Sequence, residues 1–150
     1  MLLCLCALLP FATSAVAQPT EAVKWQFEVA PKSDMEVEVR ITATMDEGWH
    51  IYSQLTEEGG PKPTTFTFSP SESYELIGKV KEESTPIEKL DPTFMMPVWW
   101  FDNTAVFSQR LKLHTTTAAV NVKIEFMACT DYECLLPEEV PFEIPVTLEK

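Results

Sequence analysis

Hydrophobic residues recur at every second position through most of the chain. Val23, Trp25, Phe27 and Val29 alternate with polar neighbours until Pro31, and Met35, Val37, Val39, Ile41, Ala43 and Met45 carry the same period through a longer segment. A period of two places alternate side chains on opposite faces, so both segments read as half-buried strands. Asp46-Glu47-Gly48 is a turn signal, and Trp49-His50-Ile51-Tyr52 after it reads as a short aromatic strand. Gly59-Gly60-Pro61 breaks the chain before Thr65-Phe66-Thr67-Phe68 extends again. Tyr74, Leu76 and Val80 predict a strand interrupted near Gly78, and three further strands are predicted over Val106 to Leu113, Val120 to Phe126 and Phe142 to Leu148.

Between Glu82 and Asn103 the alternation fails. Pro86, Pro92 and Pro97 exclude a continuous helix or a central strand there. The stretch Phe94-Met95-Met96-Pro97-Val98-Trp99-Trp100-Phe101 puts seven large apolar or aromatic residues into what reads as a long loop. Such a loop packs over a core or covers a site. No helical periodicity, internal repeat or low-complexity tract appears. Eight or nine short strands separated by turn signals predict an all-β chain, an immunoglobulin-like antiparallel β-sandwich with a long cap loop.

The 150 residues suffice for one domain with a real core. Residues 1–17 read as a secretory signal: Leu2 to Leu9 is an apolar run, Pro10 follows, and Ala15-Val16-Ala17 before Gln18 is a small-x-small cleavage site, although no Lys or Arg precedes the run. The expected division is therefore a signal peptide over 1–17 and a single domain over 18–150, exported and soluble, with no membrane insertion of the mature chain. The balance of 23 Asp plus Glu against 11 Lys plus Arg, a net charge of -12, falls wholly after residue 20. It argues against nucleic acid or an anionic membrane surface as partner.

Of the 4 cysteines, Cys4 and Cys6 lie in the expected signal and leave with it, so the mature chain keeps Cys129 and Cys134. They stand between two predicted strands, in Cys129-Thr130-Asp131-Tyr132-Glu133-Cys134. The usual cysteine pair joining two sheets of an immunoglobulin-like domain is absent, because these two are too close in sequence. An even pair in an exported protein points to an oxidised or redox-cycling site. A bond closing so short a loop stabilises by only about 2 kcal/mol in the chain-entropy account. A bridge that holds so little together is suited to being made and broken, and a plain hairpin staple is the alternative. Asp131, Glu133, Glu138 and Glu139 surround the pair, and negative charge disfavours a thiolate. A reduced Cys134 is therefore expected to react slowly with small alkylating agents at neutral pH.

Two other classes fit the same residues. Met95, Met96, Met127, Cys129 and Cys134 offer thioethers and thiolates that suit Cu(I), without a recognised spacing. An adhesive or structural sandwich with an inert disulfide is the third. His50 reads as a solvent-facing or hydrogen-bonded strand residue rather than a catalytic base, and His114 ends a strand without a nameable partner. Tyr52 lines either the site or the core.

The segment Cys129 to Cys134 with Leu135-Leu136-Pro137-Glu138 resembles the active-site segment of the N-terminal periplasmic domain of the thiol:disulfide interchange protein DsbD, the disulfide bond corrector family. Glu47-Gly48-Trp49-His50-Ile51-Tyr52 is similar to that family's aromatic strand, Asp91-Pro92-Thr93-Phe94 to the start of its cap loop, and Val106-Phe107-Ser108-Gln109-Arg110-Leu111 to the strand that follows. The resemblance spans nearly all of the chain after residue 17. It implies an immunoglobulin-like sandwich that carries electrons as a reversible Cys129–Cys134 disulfide, with no cofactor and no metal. It implies a membrane electron donor, here expected to be a separate protein, and thioredoxin-like redox proteins or disulfide isomerases as recipients. By the same resemblance Cys134 forms the mixed disulfide, Cys129 resolves it, Phe94 is the shielding cap aromatic and Asp91 the cap acid. Phe94 as ordinary core and Asp91 as an ordinary turn residue are the alternatives. The cysteine spacing is one residue shorter than in the best-known members, and Pro92 occupies a position where a second cap acid is expected.

Overall fold

A computed structural model describes residues 22–148; the expected signal peptide, with Cys4 and Cys6, lies outside the described residues. These residues form eleven strands and no helix: β1 (Val23–Pro31), β2 (Glu36–Met45), β3 (His50–Tyr52), β4 (Thr65–Phe68), β5 (Tyr74–Glu82), β6 (Ile87–Asp91), β7 (Met96–Asp102), β8 (Thr104–Leu113), β9 (Thr117–Phe126), β10 (Ala128–Cys129) and β11 (Glu138–Thr147). Every pairing is antiparallel.

The strands form three sheets, β1-β2-β8-β5, β11-β9-β4 and β10-β3-β7-β6, of which the first two face each other across the core as the layers of a sandwich. The inward residues of the alternating segments meet in a single core. Ile41, Phe107, Leu111 and Ile124 are each 0% exposed, and burial of such side chains stabilises by roughly 1.5–3 kcal/mol apiece. Trp25 joins the layers, with its ring edge-on to Phe66 at 6.3 Å and to Phe126 at 5.3 Å. From the third sheet, Ile51, Phe101 and Ala128 enter the same core, so its inner face is anchored and its outer face is left for other use.

The interruption expected at Gly78 is a register shift between Ile77 and Lys81 in the pairing of β5 with β8. Gly78 takes φ +73° there, backbone that favours glycine. Pro141 and Pro145 lie in β11, which is paired on one side only, the edge position where a missing N–H is tolerated.

One expectation is corrected. The stretch from Glu82 to Asn103 is not an irregular loop but a hairpin, β6 and β7, with its turn at Pro92 to Met95. The prolines fit because Pro86 precedes β6, Pro92 sits in the turn, and Pro97 falls beyond the three residues of β7 that pair with β3. The apolar run conceals a strand whose two faces are both covered in part: Val98 and Trp100 pack outward against Tyr52 and Cys129, while Phe101 packs inward.

Candidate functional site

The cysteine pair closes a tight turn at the end of β10. Ala128 and Cys129 pair with Ile51 and His50 of β3. Thr130 then reverses the chain: its N–H donates to Glu133 O at 2.7 Å, and its Oγ1 accepts from the N–H groups of Tyr132 at 3.2 Å and Glu133 at 3.1 Å. This is a hydroxyl-capped turn, in which a side chain replaces a missing backbone partner. Cys134 returns opposite Cys129 as a single antiparallel bridge, and Leu135 N–H donates to Ala128 O at 2.9 Å. The Cα atoms of the two cysteines are 4.0 Å apart and their sulfurs are bonded. The two residues are unequal: Cys129 is 1% exposed, packed with Tyr52, Val98 and Trp100, whereas Cys134 is exposed.

Register explains what surrounds the bridge. Cys129, His50 and Asp102 are consecutive cross-strand partners, and Tyr52 pairs with Trp100 two residues further along. Period two places these on one face, the outer face of the third sheet, while Ile51 and Phe101 take the other. His50 is 4% exposed and stacks on Trp100 with ring centroids 4.0 Å apart. It is thus hydrogen-bonded and buried, not solvent-facing. Burial lowers its pKa below the ordinary value of 6.5, with Asp102, Asp131 and Asp91 opposing and Lys89 assisting.

The hairpin turn overhangs this face. Asp91 is 4% exposed and serves two sides: Oδ1 accepts from the N–H groups of Thr93 at 2.8 Å and Phe94 at 3.2 Å, and Oδ2 accepts from Tyr52 Oη at 3.1 Å. Asp91 therefore shapes the turn and ties it to β3. Tyr52 Oη also lies 3.3 Å from His50 Nε2. Burial, then the charge of Asp91 and its hydrogen bond, push the Tyr52 pKa well up, so its hydroxyl remains a donor. Met95 closes the turn with φ +56°, its N–H donating to Asp91 O at 2.8 Å.

A cleft of about 320 Å³ opens between the turn and the disulfide, lined among others by Tyr52, Asp91, Phe94, Trp100, Met127 and Cys134. Tyr52, Asp91 and Phe94, singled out from sequence, therefore converge with the cysteines at one place. Tyr52 belongs to both core and site: it is 1% exposed yet lines the cleft. Phe94 is half-buried. His50 and Trp100 were not assigned to the site from sequence, although the period-two alternation that puts His50 on one face with Tyr52 was the available signal. His114 lies elsewhere, with Nδ1 3.0 Å from Glu72 O.

Of the thioether and thiolate set, Met96 and Met127 pack near Cys129 and Met95 is 78% exposed, while both sulfurs of the cysteines are engaged with each other. Among the described residues no group of three or more His, Cys, Asp or Glu side chains is arranged to hold a metal. The described residues contain no helix, and so none long and apolar enough to cross a membrane.

Fold and site together define a β-sandwich domain in which a disulfide and the turn of a hairpin line one cleft. The family described as the N-terminal part of the thiol:disulfide interchange protein DsbD matches residues 14–145, and the chain belongs to that family. Among solved structures it is similar to the N-terminal periplasmic domain of ScsB from Proteus mirabilis, with TM-score 0.61 and 13% identity over 88% of this chain. The chain spans 49% of that ScsB chain. It is also similar to the DsbD N-terminal domain of Neisseria meningitidis in its reduced form, with TM-score 0.56 and 19% identity over 88% of this chain and 91% of that one. A third similar structure is the complex between the DsbD N-terminal and PilB N-terminal domains of Neisseria meningitidis, with TM-score 0.51 and 15% identity over 87% of this chain and 88% of that one. No curated protein sequence matches the chain significantly.

Proposed function

We propose that this chain is an exported, periplasmic electron carrier, freed of residues 1–17, in which the Cys129–Cys134 disulfide is reduced and reoxidised by exchange with other proteins. A membrane-embedded donor reduces it, and thioredoxin-like proteins or disulfide isomerases take its electrons. The observation that carries this reading is the unequal exposure of the two sulfur-bearing residues, Cys129 at 1% and Cys134 exposed. Exchange needs a thiolate to approach a disulfide sulfur in line with the bond. A partner thiolate that attacks Cys134 Sγ forms the mixed disulfide and expels Cys129 as a thiolate, which takes up a proton. In the opposite direction Cys134 attacks the partner's disulfide, and Cys129 then attacks Cys134 Sγ and expels the partner's thiolate.

The cap supports the same reading. Phe94 lines the cleft beside Cys134 and limits casual access by small thiols, while Asp91 holds the turn in place. The related neisserial domain was solved in complex with the PilB N-terminal domain, which fits a site made for protein partners. The test is to mix the reduced protein with an equivalent of an oxidised thioredoxin-like domain, quench with an alkylating agent, and count free thiols over time by mass. Two thiols should vanish from this chain as two appear on the partner. A disulfide that resists reduction until the protein is unfolded would return the bridge to a structural role.

A further inference from the structure

Strand register leaves one side chain whose chemistry exchange has not yet used. His50 stands directly opposite Cys129 in the pairing of β3 with β10. Directly opposed residues of antiparallel strands share a face, with Cβ atoms about 4.5–5.5 Å apart. The hydrogen bonds settle the imidazole's tautomer. Tyr52 has one hydroxyl proton and donates it to Asp91 Oδ2 at 3.1 Å, so Tyr52 Oη can meet His50 Nε2, 3.3 Å away, only as an acceptor. The proton of neutral His50 is thereby assigned to Nε2, and Nδ1 keeps its lone pair.

We propose that His50 is the general base of the resolving half of the exchange: its bare Nδ1 takes the Cys129 thiol proton while Cys129 attacks the Cys134 sulfur of a mixed disulfide. The step balances. The S–H bond of Cys129 breaks and its proton passes to Nδ1. The Cys129–Cys134 bond forms, the bond from Cys134 to the partner breaks, and the partner leaves as a thiolate that is protonated from the imidazolium or from water. A buried thiol without a base reacts slowly, because only the thiolate is nucleophilic.

The charged groups around His50 suit this task. Asp102 from β7, Asp131 from the cysteine turn and Asp91 from the cap turn favour the imidazolium, Lys89 from β6 disfavours it, and Tyr52 accepts from Nε2. Burial outweighs the carboxylates and keeps the ring neutral at pH 7, with a lone pair free to accept a proton, while three carboxylates stand ready to offset the charge that forms in the step.

This inference rests on the exchange reading, and one experiment separates the two. Reduced protein is mixed with a chromogenic aryl disulfide that releases one nitrothiobenzoate when Cys134 attacks and a second when Cys129 resolves. In His50→Gln the second phase should fall about 10²-fold relative to the first at pH 7, the low end of general-base effects. The deficit should shrink as pH rises past the ordinary thiol value of about 8.5, where hydroxide does the same work. A ratio of phases that is unchanged in His50→Gln at every pH overturns the proposal. Absence of the first phase in the unaltered protein would instead sink the exchange reading itself. Should His50→Gln fail to fold, nitrogen NMR of the unaltered protein decides: Nε2 protonated with Nδ1 bare supports the assignment, and Nδ1 protonated overturns it.

Discussion

Replacing Tyr52 by Phe tests the link between the cap and the sheet that carries the cysteines. The ring is 1% exposed, so its packing is preserved and little space is opened; what is lost is a single oxygen with two contacts. One is a bond to a carboxylate at 3.1 Å, the other a longer contact to His50 at 3.3 Å. A hydrogen bond to a charged group contributes about 1.5–3 kcal/mol. Asp91 keeps its two backbone donors, which favours the low end. The expected loss is about 2 kcal/mol, or a midpoint lower by about 5 °C for a chain of this size. Urea unfolding of the oxidised protein at pH 7.5 reads it, with the slope unchanged because the same surface is exposed. Asp91→Ala should lose more, since it also frees the N–H groups of Thr93 and Phe94. A loss below about 0.5 kcal/mol for Tyr52→Phe, or the reverse order of the two variants, would refute a cap fastened through this pair.

Other outcomes follow from the same geometry. Phe94→Ala should speed reduction of the disulfide by dithiothreitol severalfold while lowering stability by only about 1–2 kcal/mol, since the ring is half-buried; an unchanged rate would remove its shielding role. Reducing the bridge in the unaltered protein should lower unfolding stability by about 2 kcal/mol, the expectation for so short a loop, and a far larger loss measured in urea would mark it as a staple. The pKa of His50 is depressed, so between that value and 6.5 the unfolded chain binds more protons than the folded one. Stability therefore rises with pH across this window and falls as pH drops through it. In paired urea titrations His50→Gln should flatten that slope, and an identical slope would contradict a buried neutral imidazole.

Much of the fold is legible in the sequence. Alternation at Val37, Val39 and Ile41, or at Val120, Val122 and Ile124, reports one buried face directly, and those residues are indeed 0–1% exposed. The cap hairpin was not legible, because Pro92 and Pro97 hide a strand whose outward Val98 and Trp100 and inward Phe101 are all apolar. Asp91-Pro92-Thr93-Phe94 carried a readable turn signature all the same, with the aspartate placed to accept from the following N–H groups. The pairing of Cys129 with Cys134 could be anticipated from their number and position, but their unequal exposure could not. It depends on β10 docking beside β3, a long-range contact between residues far apart in sequence. The same docking brings His50 opposite Cys129, and no local pattern announces it.

Single-cysteine variants test most directly whether Cys134 is the sulfur that meets partners. Cys129→Ala and Cys134→Ala, each reduced, are offered under native conditions to a thioredoxin-like protein whose lone active-site cysteine has been activated as an aryl disulfide, and the mixed disulfide is followed by mass. Cys129→Ala should accumulate the conjugate through Cys134 while Cys134→Ala stays largely unconjugated until urea exposes Cys129. Equal conjugation of both variants, or faster conjugation through Cys129, would contradict the account.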